Sequence, residues 1–285
     1  MPAIGYLALL DESEVGAATT NPFFLYGAIL VRLDRVARLD ELLEATRRAA
    51  GFPDDVPLKW VSPPASAQVS RDAHAAAKEQ VLDSLVADGA RLFANLTCGP
   101  VAAGAKAGSQ APKYGANAIL RALDSHLREV DGRALVLVDQ FSGFNTLSYL
   151  EEKGSKGLLY PADPSKNRRL DLMGGFGATS ARASRISSLV DVPLGAFGYC
   201  IEPVNHRQVS AVAPHVMPLV AKDRSGMVWN RGVSLYPQTL KHAGHLPAYN
   251  RVHQVLTAHG LRGVPQFHLV TSPAASPTPA PRPTR

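Results

Sequence analysis

The chain of 285 residues is 46% hydrophobic and 19% charged, a globular balance that supplies a sizeable core and excludes a wholly disordered protein. Lys and Arg number 30 against 24 Asp and Glu, a formal charge of +6, which favours a polyanionic partner without requiring one. The two cysteines, Cys98 and Cys200, belong to no Cys-x-x-Cys pair, so a disulfide scaffold or structural zinc lacks support and buried thiols are expected.

In chain order, Ile4 to Leu10 predicts a first strand, followed by an acidic turn and a second, aromatic and β-branched run from Phe23 to Val31 that suits a hairpin. A helix from Leu33 to Ala50 follows, with Val36, Leu39, Leu42 and Leu43 on its apolar side and Gly51 to end it. Beyond a Pro-bounded segment carrying Lys59-Trp60, the pattern predicts a helix over Arg71 to Ala87 and a short strand over Arg91 to Thr97, separated at Gly89. Lys106 to Tyr114 is small, basic and loop-like. Ala116 to Val130 resumes a helical pattern through Ile119, Leu120, Leu123 and Leu127, and Asp131-Gly132 turns the chain into a strand ending at Asp139.

A short amphipathic piece is expected near Phe144 to Glu152, then a long loop from Tyr160 to Ser180, then a segment from Ser184 to Tyr199. Gly174-Gly175-Phe176-Gly177 falls in that loop. It lacks the strand before and helix after that a dinucleotide fingerprint requires, so it reads as a flexible loop. Two helices are predicted near His206 to Val220 and Ala248 to His259, although Pro214 and Pro218 oppose the first. His242 and His245 have helical spacing, but Gly244 and Pro247 argue against a helix and no thiol accompanies them, so a zinc site is not expected.

Strands alternating with helices of this length indicate an α/β protein, and the β-β-α start argues for a mixed sheet flanked by helices. Residues 1–202 are expected to form the core and 203–271 a helical C-terminal extension of the same domain. Residues 272–285, rich in Pro, Ala, Ser and Thr, cannot bury enough apolar surface to offset ordering entropy and read as a disordered tail. No apolar run approaches the roughly eighteen residues that span a bilayer, and no signal peptide is evident. A soluble, cytoplasmic protein without membrane contact is expected.

Three acids stand out. Asp11 closes the run from Ile4 to Leu10, Asp139 closes Ala134 to Val138, and Asp191 follows Ser187-Ser188-Leu189-Val190. A lone Asp at a strand end is ordinarily a turn former or cap. Three gathered by the fold could instead hold Mg²⁺ or Mn²⁺, which prefer oxygen ligands, for two-metal cleavage of a phosphodiester. Glu12 points away from Asp11 in an ideal strand and ranks below it. Lys59 is a candidate phosphate neighbour, while Trp60 reads as packing before base stacking. Lys166, Arg168, Arg169, Arg182 and Arg185 precede the third acid and could track a nucleic-acid backbone.

Tyr6-Leu-Ala-Leu-Leu-Asp11-Glu12-Ser13, the run Phe24 to Val31, Leu58-Lys59-Trp60 and the segment Arg185 to Phe197, with its Ser-x-x-x-Asp-x-x-x-Gly spacing, resemble the DUF3800 family. The resemblance spans about residues 4 to 200. It implies a ribonuclease H-like fold and a metal-dependent nuclease acting on RNA or DNA, with acidic site residues at Asp11, Asp139 and Asp191, Glu12 beside the first and Lys59 as a basic neighbour. Glu14 stands where that family usually has Gly, and Pro193 where a helix former is expected. Pro193 implies that a helix begins near Asp191 or is kinked there, and a helix N-terminus would favour the ionised Asp191. The other readings are a catalytically degenerate nucleic-acid-binding or scaffolding protein and, less favoured, a phosphatase or phosphotransferase. In the phosphatase pattern a second Asp is expected two residues after the first, where this chain has Ser13. No Gly-x-Ser-x-Gly elbow or Walker-type loop is present.

Overall fold

The computed structural model describes residues 3–14, 23–98, 111–139, 145–160, 163–179, 185–202, 209–240 and 243–269. Six strands among them, β1 (Tyr6–Glu14), β2 (Phe23–Arg32), β3 (Arg91–Cys98), β4 (Ala134–Asp139), β5 (Met173–Thr179) and β6 (Val233–Tyr236), form one sheet in the order β5-β4-β1-β2-β3-β6. β1, β2 and β3 make an antiparallel meander. β4 runs parallel to β1, β5 parallel to β4, and β6 parallel to β3. The described helices are α1 (Val36–Ala49), α2 (Arg71–Ala87), α3 (Ala111–Glu129), α4 (Thr146–Lys156), α5 (Ser188–Ile201), α6 (Val209–Val216) and α7 (Leu246–Ala258).

Side chains of a strand alternate between faces, and both faces of this sheet are apolar. Leu7 and Leu9 of β1 face a core with Leu25, Ile29 and Val31 of β2, and α1, α2, α5, α6 and α7 cover that side. Ala8 and Leu10 face the opposite core, which α3 and α4 close through Ile119, Leu120, Leu123, Tyr149 and Leu150. The chain is thus an α/β protein with a mixed sheet flanked by helices on both faces. Cys98 and Cys200 are buried thiols and not a disulfide, and no described helix is long and apolar enough to cross a membrane.

Several expectations need correction. β1 does not stop at Leu10 in an acidic turn: Asp11 to Glu14 continue it, paired with β2 out to Glu14 opposite Phe24. The glycine-rich stretch read as loop is strand β5. Its glycines suit the crowding: a Cβ at Gly177 would lie 2.9 Å from Leu137 Cδ2, and one at Gly174 would lie 2.7 Å from Ile4 Cδ1. Period-two hydrophobicity cannot register in a strand whose alternate positions lack side chains. α3 begins at Ala111, so Tyr114 is helical and not in a loop; residues 106–110 lie outside the described residues.

The region 203–271 is not purely helical, because it supplies β6 to the sheet, and α6 is a short helix continued by a 3₁₀ turn at Met217–Leu219. α5 runs through Pro193, which withdraws one amide from the ladder; the helix is held by burying nearly its whole surface. His242 and the tail 272–285 lie outside the described residues.

Candidate active site

β1 leaves β4 after the rung Leu10 to Val138 while staying with β2 as far as Glu14. Asp11 and Asp139 occupy the next position on each side of that divergence, Asp139 as the last residue of β4 and Asp11 within β1 where its parallel pairing stops, the kind of opening in which α/β sheets commonly bind ligands. By alternation Asp11 shares the face of Leu7 and Leu9, and Asp139 that of Leu135 and Leu137. The same face carries α5, with Asp191 in its first turn. Glu12 falls on the other face and pairs in register with Tyr26, whose ring lies in the opposite core.

Two glycines bring the third acid down onto the sheet. Gly27 stands opposite Asp11, and a Cβ there would come within 2.3 Å of Leu194 Cδ1, so its absence lets α5 settle beside Asp11. Gly195 is one helical turn beyond Asp191, on the same side of α5. A Cβ on it would lie 2.3 Å from both Cβ and Cγ of Trp60. The Lys59-Trp60 segment therefore lies against that side, and the Trp60 amide donates a 2.6 Å hydrogen bond to Asp191 Oδ2. The Ser-x-x-x-Asp-x-x-x-Gly spacing thus has a steric meaning: Gly195 admits the segment that orients Asp191. α2 holds the segment from behind, with His74 Nε2 donating to the Lys59 carbonyl at 2.8 Å and Lys78 Nζ to the Trp60 carbonyl at 3.3 Å.

The electrostatics bind the four residues into one site. Burial, then the charges of Asp139 and Asp191, push the Asp11 carboxyl up from its ordinary 3.8 to about 7, against the Glu12 amide and Lys59. The Glu12 amide donates to Asp11 Oδ1 at 2.7 Å. Burial also raises the Asp191 carboxyl; the Trp60 amide and Lys59 oppose that rise, and Asp139 adds to it. Burial thus works against the ionised form that a place in the first turn of α5 favours. Burial likewise raises the Tyr26 hydroxyl, with Tyr149, Asp11, Glu12 and Asp139 adding to the effect.

The basic set does not line one groove beside the acids. Lys166 pairs with Asp163, Arg169 with Asp171, and Arg168 with the fully buried Asp124 of α3 at 2.6 Å. Arg185 pairs with Glu44 of α1, on the opposite side of the sheet from α3. Arg182 lies outside the described residues. Arg168 and Arg185, close in sequence to Asp191, are thus paired with helices on opposite faces of the sheet. Conversely, His74 carries no sequence signal, and Tyr26, Gly27 and Trp60, although inside segments that carry the family resemblance, are not singled out by it for the roles they take here, which depend on position and not on side-chain chemistry.

Among the described residues no three His, Cys, Asp or Glu side chains are grouped as donors to a single ion. Asp11, Asp139 and Asp191 share a face and a field, short of a closed coordination sphere. Their chemistry nonetheless fits a hard divalent cation: three carboxylates, at least two of them resisting ionisation, supply oxygen donors whose repulsion a cation would relieve. Compared with protein-family models, with curated proteins and with solved structures, the chain matches none.

Proposed function

We propose that the protein is a metal-dependent nuclease that hydrolyses phosphodiester bonds of RNA or DNA, on a ribonuclease H-like sheet of the kind the DUF3800 resemblance implies. The observation that carries this reading is the placement of Asp11, Asp139 and Asp191 on one face where the β1–β4 pairing ends, with Lys59 coupled to the first and third. The antiparallel meander continued by parallel β4 and β5, with helices on both faces, supports the fold assignment.

Asp11, Asp139 and Asp191 would hold Mg²⁺ or Mn²⁺, which when bound polarises a phosphoryl oxygen and acidifies a coordinated water. The rest is the work of the chain. Lys59 draws a phosphate towards the carboxylates and offsets their charge. The Trp60 amide fixes one rotamer of Asp191, so less entropy is lost when a ligand is gripped. The part-buried setting keeps bulk water from screening these interactions.

The test is cleavage of labelled RNA, DNA and hybrid substrates with Mg²⁺, Mn²⁺ or EDTA, using Asp11→Asn as control. Cleavage with metal, and its loss by at least about a hundredfold in the variant, is the expected result for a residue central to charge stabilisation. A purified Asp11→Asn protein that still cuts at the parent rate sinks the assignment. Turnover of small phosphomonoesters without cutting of polynucleotides would mark a phosphatase. A second reading, a degenerate nucleic-acid-binding or scaffolding protein, is favoured by the lack of a ready triad of metal donors among the described residues; it predicts binding without cleavage under every metal condition.

A further inference from the structure

Behind the Lys59-Trp60 segment the surface opens into a cavity of roughly 590 Å³ between α2, α5 and α6, lined among others by Trp60, Arg71, His74, Lys78, Glu79 and Tyr199. We propose that this groove takes an unpaired nucleotide of a single-stranded nucleic acid, so that the strand runs from the carboxylates over Lys59 into the groove; this rests on the phosphodiester reading above.

Three observations carry it. The first is continuity, because one residue joins both places: the Trp60 amide is bonded to Asp191 while the Trp60 ring forms a wall of the cavity. The second is aromatic lining. The Trp60 and Tyr199 rings meet at 5.6 Å between centroids, tilted by 58°, and Lys78 Nζ stands 4.2 Å from the Trp60 centroid. Base stacking on aromatic side chains tolerates any sequence, because every base has a π face.

The third is charge. Of the basic set that precedes Asp191, Lys166, Arg168, Arg169 and Arg185 are each paired with a carboxylate. Lys59, Arg71 and Lys78, by contrast, make no ion pair among the described residues, and they flank this segment. Lys78 is instead engaged with the Trp60 ring and carbonyl, contacts weak enough to be exchanged for a phosphate oxygen. Glu79 is the opposing charge in the lining, close enough to act on Lys78, and against it Arg71 and Lys78 leave the wall with an excess of one positive charge. The volume lies within the range of small-ligand pockets and accommodates a nucleotide, whereas a paired base in a duplex cannot enter a cleft between helices without leaving its stack.

Binding is measured on the full chain in EDTA, by anisotropy of a labelled oligothymidylate, a duplex of equal length and a labelled mononucleotide. Arg71→Ala, Lys78→Gln and the double variant are compared with Arg32→Ala at the far end of β2, and thermal melts confirm that each folds. The expected result is tighter binding of the single strand than of the duplex, about tenfold weaker single-strand binding in the double variant, and a fall of about 1 to 1.5 in the slope of log affinity against log salt. Tyr199→Leu should weaken single-strand binding about fivefold or more while leaving that slope in place. Equal affinities of the double variant and Arg32→Ala overturn the groove, and so does a preference for duplex. Binding of the mononucleotide alone also overturns it, by showing a small-molecule site. Because no metal is present, groove variants that lose binding in a protein that never cleaves would reject the nuclease reading and leave the groove standing.

Discussion

Asp11 is held in a place that disfavours its own charge. Its carboxyl is raised from 3.8 to about 7 by burial and by two neighbouring aspartates, so over the interval between those values the folded protein keeps a proton that the unfolded chain has released. Where the native state binds more protons than the unfolded one, stability falls as pH rises. The protein without divalent ions should therefore lose stability from about pH 4 to pH 7, by at most about 4 kcal/mol at about 1.4 kcal/mol for each tenfold change. Asp11→Asn removes the penalty and keeps an oxygen to accept the Glu12 amide. It should melt higher than the parent at pH 8 in EDTA, match it near pH 4, and lose the stabilisation that Mg²⁺ or Mn²⁺ gives the parent. Equal melting shifts at both pH values would contradict the buried, repelling arrangement. Asp11, Asp139 and Asp191 stand out in the sequence because each follows an apolar or small-residue run, although only Asp139 ends a strand, Asp11 lying within β1 and Asp191 in the first turn of α5; the ranking of Asp11 over Glu12 follows from parity alone. The reach from Lys59 to Asp191 was not legible, because 131 residues separate the hydrogen-bonded Trp60 and Asp191 and only the packing of α5 closes that distance.

At the scale of elements, the position of α5 depends on what is missing from two residues. Replacing a helical Gly by Ala ordinarily favours the helix by about 1 kcal/mol. At Gly195 the new methyl would lie 2.3 Å from Trp60 Cβ and Cγ, and Trp60 is tied at its amide to Asp191 and at its carbonyl to Lys78. The overpacking term, about 1 to 3 kcal/mol, should win. Gly195→Ala is expected to be destabilised in urea by up to about 2 kcal/mol, with altered Trp60 fluorescence and impaired activity. Gly244→Ala, with open space around its Cβ position, should be close to neutral. A Gly195→Ala protein as stable and as active as the parent would show that the Lys59-Trp60 segment is free to shift. The long helices α1 and α2 and strands β2 to β4 were readable because their apolar periods are unbroken. β5 was not, since its glycines accommodate the Leu135 and Leu137 side chains of β4, and β6 was not, since four residues, Val233–Tyr236, are too few to show a period.

At the scale of the whole molecule, the sequence suggests a core ending near residue 202 followed by a helical extension of the same domain, and the packing joins the two through one sheet and one core. β6 closes the sheet beside β3, and the Tyr114 ring of α3 stacks on Tyr236 at 5.2 Å. Arg224 and Arg231 both reach Glu129 at the end of α3, one through its carbonyl and one through its carboxylate. Val209, Val216, Val233, Tyr249, Val252 and Leu256 share one continuous core with β1, β2, β3 and α5. A fragment of residues 1–202 would expose the β3 edge and the apolar side of α5, surfaces that favour aggregation when uncovered. It should therefore show no cooperative melt and no near-ultraviolet dichroism, whereas a chain ending at residue 271 should melt as the full protein does. A sharp, reversible transition in the 1–202 fragment would instead establish an autonomous unit. In that case the groove walled by α6 would be an addition to the carboxylate site, and cleavage by the fragment without single-strand preference would follow.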